Sequence, residues 1–355
     1  MLALTLALLP VQRIHAQSEL ECTGLRVEHL ENPEGIDAAN PHLRWQLAST
    51  VRGQRQTGSQ ILVASSLEIL ARDEGDLWDS GRRTDWNNFL TGYRGLPLKS
   101  GQTAYWKVRV WDKDKKEGPW SEPARFTMGI LKPEDWKAQW ISFKDDTPLH
   151  QDPAKLHLPA PRYYRKPFKA GKPVKHAVLF ASSLGIHELH LNGKKVGDRL
   201  LAPGWTDYRK RVYYHTHVVT DLLENGDNCL GATVADGWYA GYLGGGKAKG
   251  YGPHGTGRNF YGKTPALLVQ LHLEYEDGSV EVITTDPSWQ VSTGPEQEAD
   301  LLMGERYDAR LEQAGWSTTA FKGGKWAAAV AASANGSLKA PFLDGRGERD
   351  VELGF

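Results

Sequence analysis

The residues best suited to ligand binding lie in and beside a glycine-rich run at 237–262, GWYAGYLGGGKAKGYGPHGTGRNFYG. A run with so much glycine and so little apolar bulk is not expected to form core, which predicts an exposed loop. Aromatic side chains on such a loop could stack on a sugar ring, while a carboxylate and a guanidinium hydrogen-bond to its hydroxyls. The sequence therefore predicts a carbohydrate site made of Asp236, Trp238, Tyr239, Tyr242 and Arg258.

Two other interpretations of this run stay open. Asp236 directly precedes Gly237, and an aspartate at a turn often hydrogen-bonds its own backbone instead of a ligand. A loop built to contact another domain would also combine glycine with exposed aromatic residues. The composition alone does not choose between ligand binding, turn capping and a domain interface.

Glu305 and Asp308, in GERYDAR at 304–310, are the most tempting carboxylate pair for acid–base chemistry. Arg306 and Arg310 lie in the same segment. Carboxylates beside arginines form structural ion pairs more often than catalytic dyads. The segment therefore predicts an ion-pair network.

Metal binding has two weak indications in the sequence. The segment DKDKKEG at 112–118 resembles a calcium loop, but it lacks the required glycine position and the downstream glutamate, so we interpret it as a charged hairpin tip. His215 and His217 alternate on one strand face, near His187 and His190. Alternation along a strand does not by itself define a cluster of metal ligands.

Cys22 and Cys229 are the only cysteines, and they fall in different predicted domains. Two cysteines cannot build a cysteine metal site, and Cys229 is expected to be a small buried apolar residue. The sequence predicts no metal site and no cofactor; calcium is left open without a matched motif.

The overall composition excludes several classes of partner. The 43 Lys and Arg residues are balanced by 43 Asp and Glu residues among 355, so no basic field exists to hold nucleic acid or an anionic membrane. Thirteen Trp and 38 Gly suit an all-β protein with tight turns, in which most Trp side chains are expected in the core.

The first 16 residues, MLALTLALLPVQRIHA, predict a secretory signal peptide with cleavage after Ala16. Its apolar stretch is too short to span a bilayer. The sequence therefore predicts a secreted or periplasmic protein without a membrane span.

The order of β-rich segments predicts two sandwiches. The first, a fibronectin-III-like sandwich at 18–130, has candidate strands at 43–47, 60–65, 103–112 and 124–129, with one helical turn at 67–70. A linker is expected at 131–161. The second and larger sandwich, at 162–320, is jelly-roll-like, and a connector follows at 321–355. The candidate strands of the second sandwich lie at 176–182, 186–192, 228–235, 266–275 and 280–285, and a turn at Asp277-Gly278 joins the last two.

Motifs in both predicted domains resemble the N-terminal, non-catalytic region of the bacterial α-L-rhamnosidases of glycoside hydrolase family 78. They occur together and in the family's order. The motifs are NPEGID at 32–37, PHLRWQL at 41–47, WDSGR at 78–82, YWKVRVWD at 105–112, RKPF at 165–168, LNGKKVGD at 191–198, APGWTDYRKRVYYHTHVVTDLL at 202–223, DGWYAG at 236–241, TDPSW at 285–289 and GERYDAR at 304–310.

The resemblance implies an inverting hydrolase of terminal α-L-rhamnosides whose acid and base lie in a C-terminal (α/α)6 barrel. No segment of this chain resembles that barrel, so we expect no catalytic residue here and no activity from this chain alone. Its expected partners are the barrel and rhamnose-containing glycans. Some accessory sandwiches of the family bind rhamnose, which makes a stand-alone carbohydrate-binding protein one alternative and an adhesive surface protein another.

Overall fold

The computed structural model describes residues 18–84, 91–145, 156–243 and 257–332, together with the backbone of Phe342–Asp344. Residues 1–16, which carry the predicted signal peptide, lie outside the described part. Contacts divide the chain into two units. The first contains most residues up to Phe126, and the second contains Pro33–Ala39, Leu98–Gln102 and all residues from Thr127 onward.

The first unit is built from two small sheets, of order β1–β3–β6 and β8–β7–β4–β5. Alternation in β7 buries Trp106, Val108 and Val110 completely, which forms the centre of its core. The strands are β1 (Glu21–Val27), β3 (His42–Ala48), β4 (Gly58–Ala64), β5 (Trp78–Asp79), β6 (Thr91–Gly92), β7 (Thr103–Trp111) and β8 (Ala124–Met128), with the helical turn α1 at Leu67–Ala71.

The helical turn and the charged hairpin tip are both present as predicted. The hydroxyl of Ser66 accepts a hydrogen bond from the Ile69 backbone N–H and so caps α1. The carboxylate of Asp112 accepts hydrogen bonds from the backbone N–H groups of Asp114 and Lys116, both at 2.9 Å, and folds the tip on itself.

The second unit is a sandwich of two six-stranded sheets. One has the order β13–β12–β16–β10–β19–β22; the other has the order β15–β11–β17–β9–β23, with β18 beside β17. The two sheets contain β9 (Ile141–Ser142), β10 (Arg162–Ala170), β11 (Val174–Leu184), β12 (Ile186–Leu191), β13 (Lys194–Lys195), β15 (His215–Val218), β16 (Gly226–Ala235), β17 (Ala266–Tyr275), β18 (Val280–Thr284), β19 (Gln290–Thr293), β22 (Ala327–Ala328) and β23 (Val330–Ala331). The unit also contains β2 (Glu34–Ile36), which pairs with the end of β8, the paired strands β14 (Arg211–Tyr213) and β24 (Phe342–Asp344), the paired strands β20 (Glu296–Asp300) and β21 (Gly304–Tyr307), and the helical turn α2 at Gly237–Ala240.

The core of the second unit lies between these two sheets. Tyr164 and Leu230 come from one sheet and Leu179 and Leu271 from the other, and all four are almost completely buried. The longer predicted strands are present, and Gly278 turns β17 into β18 with a φ of +78°. The all-β prediction is confirmed.

The structure contains strands that the sequence did not predict, among them β1 and β10 within the predicted sandwiches and short strands in the predicted linker and connector. Strand β9 lies in the predicted linker and pairs with β17, while β22 and β23 lie in the predicted connector and pair with β19 and β9. Each has only two residues, too few for alternation to be visible, and the last two consist of alanine and valine.

Candidate functional site

A cavity of about 360 Å³ opens in the second unit, where β10 begins and β16 and β19 end. Both neighbours are antiparallel to β10, so its first residue, Arg162, lies opposite Val234 and Thr293. Asp236 follows two residues after Val234 and reaches the same place. The cavity is lined by Phe143, Asp145, His157, Leu158, Pro159, Ala160, Arg162, Asp236, Arg258, Asn259, Lys263, Pro265, Thr293, Gln297 and Glu298.

A buried ion pair forms one wall of the cavity. Nη2 of Arg258 donates to Oδ2 of Asp236, and Nη1 of the same guanidinium donates to the carbonyl of His157. The two side chains are only 2% and 6% exposed. Burial raises the pKa of Asp236 to about 6 against the opposing effect of Arg258, which leaves the carboxylate ionised at neutral pH.

Arg162 supplies a second guanidinium. Its Nη1 donates to the carbonyl of Ala160 at 2.6 Å, and its Cζ lies 4.1 Å from the centre of the Phe143 ring. Burial lowers its pKa, while the nearby Asp145 and Asp236 carboxylates oppose that shift. The guanidinium thus lies over the face of the Phe143 ring at the cavity wall.

The remaining carboxylates of the cavity have cationic partners. Asp145 pairs with Lys263 at 3.2 Å, and Glu298 pairs with Arg306 at 3.0 Å. Asn259 adds a buried amide to the lining. The arrangement can therefore bind a polar molecule through charged and amide groups at once.

Comparison with known families agrees with this architecture. A model described as the Rha78A-like N-terminal immunoglobulin domain matches residues 22–132, and one described as the α-L-rhamnosidase N-terminal domain matches residues 172–343. The chain belongs to the N-terminal region of the α-L-rhamnosidases.

Individual relatives resemble this rhamnosidase region over most of its length. An α-L-rhamnosidase of Formosa agariphila is 35% identical over 317 residues, which cover 88% of this chain and 33% of that protein. The solved α-L-rhamnosidase of Dictyoglumus thermophilum superposes with a TM-score of 0.76 at 33% identity, covering 91% of this chain and 34% of that one. The α-L-rhamnosidase of Streptomyces avermitilis, solved in complex with L-rhamnose, superposes with a TM-score of 0.74 at 29% identity. That match covers 88% of this chain and 45% of the other. The chain thus spans about a third of the length of the first of these curated relatives.

Two of the residues predicted from the sequence of this rhamnosidase region, Asp236 and Arg258, meet at the cavity. The expectation that Asp236 caps its own turn is wrong, because its side chain makes no capping hydrogen bond to α2 and pairs with Arg258 instead. The composition had identified both residues without indicating that they contact each other.

The expectation of exposed aromatic residues is wrong for Tyr239 and Tyr242, which are 5% and 3% exposed. Tyr239 lies on α2 and packs against Tyr208, with ring centres 5.4 Å apart. Tyr242 accepts a hydrogen bond from the His157 backbone N–H at 3.2 Å. Both rings therefore pack inside the unit; residues 244–256 of the same run lie outside the described part.

Trp238 is partly buried, and one face of its ring is covered by Trp205. The two rings are stacked, with centres 5.1 Å apart and planes within 13° of parallel. Trp205 is 53% exposed and lines a shallow depression with Asp207 and Arg211. Sequence reasoning missed Trp205, although Ala202-Pro203-Gly204 before it indicates a turn that presents its neighbour to solvent.

The predicted ion-pair network is present in modified form. Asp308 pairs with Arg310 at 2.6 Å, whereas Arg306 reaches across to Glu298 instead of Glu305. Strands β20 and β21 pair as a hairpin and bring Arg306 opposite Glu298. This cross-strand pairing is not visible from neighbours in the sequence.

The four histidines do not share one environment. His187, His215 and His217 are buried, and burial lowers the pKa of each, to about 3 for His215 and about 4 for His217. His190 instead contacts Glu188 at 3.1 Å. Within the described ranges, no group of three or more His, Cys, Asp or Glu side chains is placed to hold a metal ion.

Two further features concern thiols and membranes. Cys22 and Cys229 are both buried free thiols, which confirms the expected burial of Cys229. No helix in the described part of the chain is long and apolar enough to cross a bilayer.

Proposed function

We propose that this chain serves as the accessory N-terminal region of a secreted α-L-rhamnosidase, whose whole-protein activity is inverting hydrolysis of terminal α-L-rhamnosides. The observation that carries this proposal is the match of both N-terminal domain models, in order, over 22–132 and 172–343. In this account the two sandwiches support a separate catalytic barrel and border its substrate.

The chemistry of the cavity supports an accessory role. An inverting glycosidase needs a protonated carboxyl and a carboxylate base roughly 6.5–9.5 Å apart. Asp236 is a poor proton donor because Oδ2 accepts from Arg258, and a second guanidinium, Arg162, lies close by. Asp145 and Glu298 are likewise engaged by Lys263 and Arg306.

The direct test is an assay of the purified chain with 4-nitrophenyl α-L-rhamnoside. We expect release of nitrophenol to equal the uncatalysed rate, and Asp236→Asn to leave that rate unchanged. Hydrolysis above the uncatalysed rate that Asp236→Asn abolishes would overturn the accessory role.

Export is part of the same proposal. The apolar segment at 1–16 is expected to direct the chain across a membrane and to be removed after Ala16. Mass analysis of the mature protein from a bacterial host should give an N-terminus at Gln17 in the periplasm or medium. A chain retained in the cytoplasm with residues 1–16 intact contradicts it.

A second function, carbohydrate binding, is favoured by the cavity itself. Two residues expected from sequence to contact sugar, Asp236 and Arg258, lie together in a cavity of about 360 Å³. The S. avermitilis relative was solved with L-rhamnose, which makes rhamnose-containing glycans the first ligands to test. Calorimetric titration should give saturable binding that Asn259→Ala weakens, and flat titrations with all sugars would remove this function.

A further inference from the structure

Arg162 is the cation of the cavity that lacks a carboxylate partner among the described residues. Its contacts are the carbonyl of Ala160, at 2.6 Å from Nη1, and the face of the Phe143 ring, at 4.1 Å from Cζ. Neither neutralises its charge. The side chain is nevertheless partly buried, which is unfavourable for a guanidinium without a counter-ion.

The carboxylates that could have neutralised Arg162 are already paired. Asp236 is held by Arg258, Asp145 by Lys263 at 3.2 Å, and Glu298 by Arg306 at 3.0 Å. Asp145 and Asp236 lie near Arg162 but form no ion pair with it, so its remaining N–H groups are available to an incoming anion.

The geometry of Arg162 suits a carboxylate in particular. A guanidinium is planar and presents parallel N–H groups that match the two oxygens of a carboxylate. The contact with the Phe143 ring restrains the guanidinium before any ligand arrives. Only Nη1 is used by Ala160, which leaves Nη2 and Nε as donors.

The rest of the lining suits a polyhydroxylated ring. Asn259 is a buried amide, and Gln297 donates its amide N–H to the Gly294 carbonyl and keeps its oxygen as an acceptor. The volume, about 360 Å³, lies near the lower end of the roughly 300–1,000 Å³ usual for small-molecule pockets. This size suits a single sugar residue better than a long segment of polymer.

We propose that the cavity binds a sugar residue that carries a carboxylate, a hexuronic acid unit of a glycan, with the carboxylate paired to Arg162. The ring hydroxyls then meet Asp236, Asn259 and Gln297. This inference rests on the proposed carbohydrate-binding function and names the class of sugar that the site selects.

The test compares sugars that differ only in the carboxylate. The purified full chain is titrated calorimetrically with D-glucuronate and D-galacturonate, and with D-glucose, D-galactose and L-rhamnose as neutral ligands. We expect at least one uronate to bind about tenfold or more tightly than its neutral counterpart, which is about 1.4 kcal/mol. This preference should shrink at high salt, because a charge–charge contact is screened.

Arg162→Gln should remove the preference and give the uronate the affinity of its neutral counterpart. Arg310→Gln is the matched control, because Arg310 is 88% exposed and lies outside the cavity lining. Arg162→Lys keeps the positive charge but not the planar guanidinium, so it should retain part of the preference for the uronate. If Arg162→Gln fails to fold, Arg162→Lys and the salt dependence of the native chain carry the test.

The possible failures are distinguishable. Equal affinity for uronates and neutral sugars, or an Arg162→Gln variant that keeps the preference, overturns the role of Arg162 and leaves a neutral-sugar site. Tighter binding of L-rhamnose than of either uronate also overturns the proposed sugar class. Absence of binding by all five sugars overturns the carbohydrate site itself.

Discussion

Arg258 and Asp236 form a buried ion pair that ties the end of β16 to the segment leading into β17. Nη2 of Arg258 contacts Oδ2 of Asp236 while Nη1 holds the backbone of His157, so one guanidinium fixes two walls of the cavity. The pair therefore determines whether the cavity keeps its shape.

Removing one partner of this pair should destabilise the fold strongly. Arg258→Gln leaves the Asp236 carboxylate buried without its counter-ion, which typically costs about 3–5 kcal/mol. Urea unfolding at pH 7 should show this loss. The double variant Asp236→Asn with Arg258→Gln should be less unstable than the sum of the two single variants. Simple additivity in this cycle would contradict a direct ion pair.

Acid should destabilise the second unit through three buried histidines. In the folded protein their pKa values are lowered, to about 3 for His215 and about 4 for His217. Their contribution to the stability of the fold is therefore complete above the unfolded pKa, near 6.5, and is lost as the pH falls. Burial is the main cause for each of the three histidines. Arg199 adds to the lowering at His215 and His217, and Asp198 opposes it at His217.

Urea midpoints measured between pH 7 and pH 4 check this prediction. His215→Gln should flatten the fall in stability. Asp236 has the opposite pH dependence. Because its folded-state pKa is raised to about 6, its contribution to the free energy of unfolding is present below its unfolded pKa of about 4 and is lost as the pH rises through about 6. Constant or rising stability from pH 6.5 to pH 4 would show that the histidine effect is absent.

The close packing of Tyr239 predicts a strict requirement at Gly262. A Cβ added at Gly262 would collide with the Tyr239 hydroxyl and ring. Gly262→Ala should therefore lower the free energy of unfolding by about 1–3 kcal/mol, as overpacking in a core does. Gly171→Ala is the control, since a Cβ there meets no atom within 4 Å. Equal unfolding midpoints for the two variants would contradict the packing of Tyr239.

The stacked pair of Trp205 and Trp238 should be energetically coupled. An offset aromatic pair contributes about 0.5–1.5 kcal/mol beyond the area it buries. A double-mutant cycle with Trp205→Ala and Trp238→Ala, followed by thermal unfolding, should give a coupling in that range. A coupling near zero would mean that the exposed Trp205 ring does not rest on Trp238 in solution.

The sequence predicted most of the long strands, though not β1 or β10, because the signals of those it predicted are local. Alternation over ten residues marks β17, and a serine cap marks α1. The two-residue strands β9, β22 and β23 were not predicted, because they are defined by their pairing with distant strands and have no local sequence pattern.

The candidate site was predictable only in part for the same reason. Composition identified Asp236 and Arg258 but suggested exposure for Tyr239 and Tyr242, because glycine content says nothing about which aromatic rings find a partner. Arg162 lies in none of the strands predicted from the sequence, because β10 was not among them. It enters the cavity only through the register that places it opposite Val234 and Thr293.

The central claim is most directly tested by a chimera in which this chain replaces the matching N-terminal part of the F. agariphila α-L-rhamnosidase. Three proteins are compared with 4-nitrophenyl α-L-rhamnoside: this chain alone, the relative without its N-terminal part, and the chimera. An accessory N-terminal region predicts no hydrolysis by the chain alone, loss of activity or heat stability in the shortened relative, and recovery of both in the chimera. Full activity and heat stability of the shortened relative, unchanged in the chimera, would contradict that role.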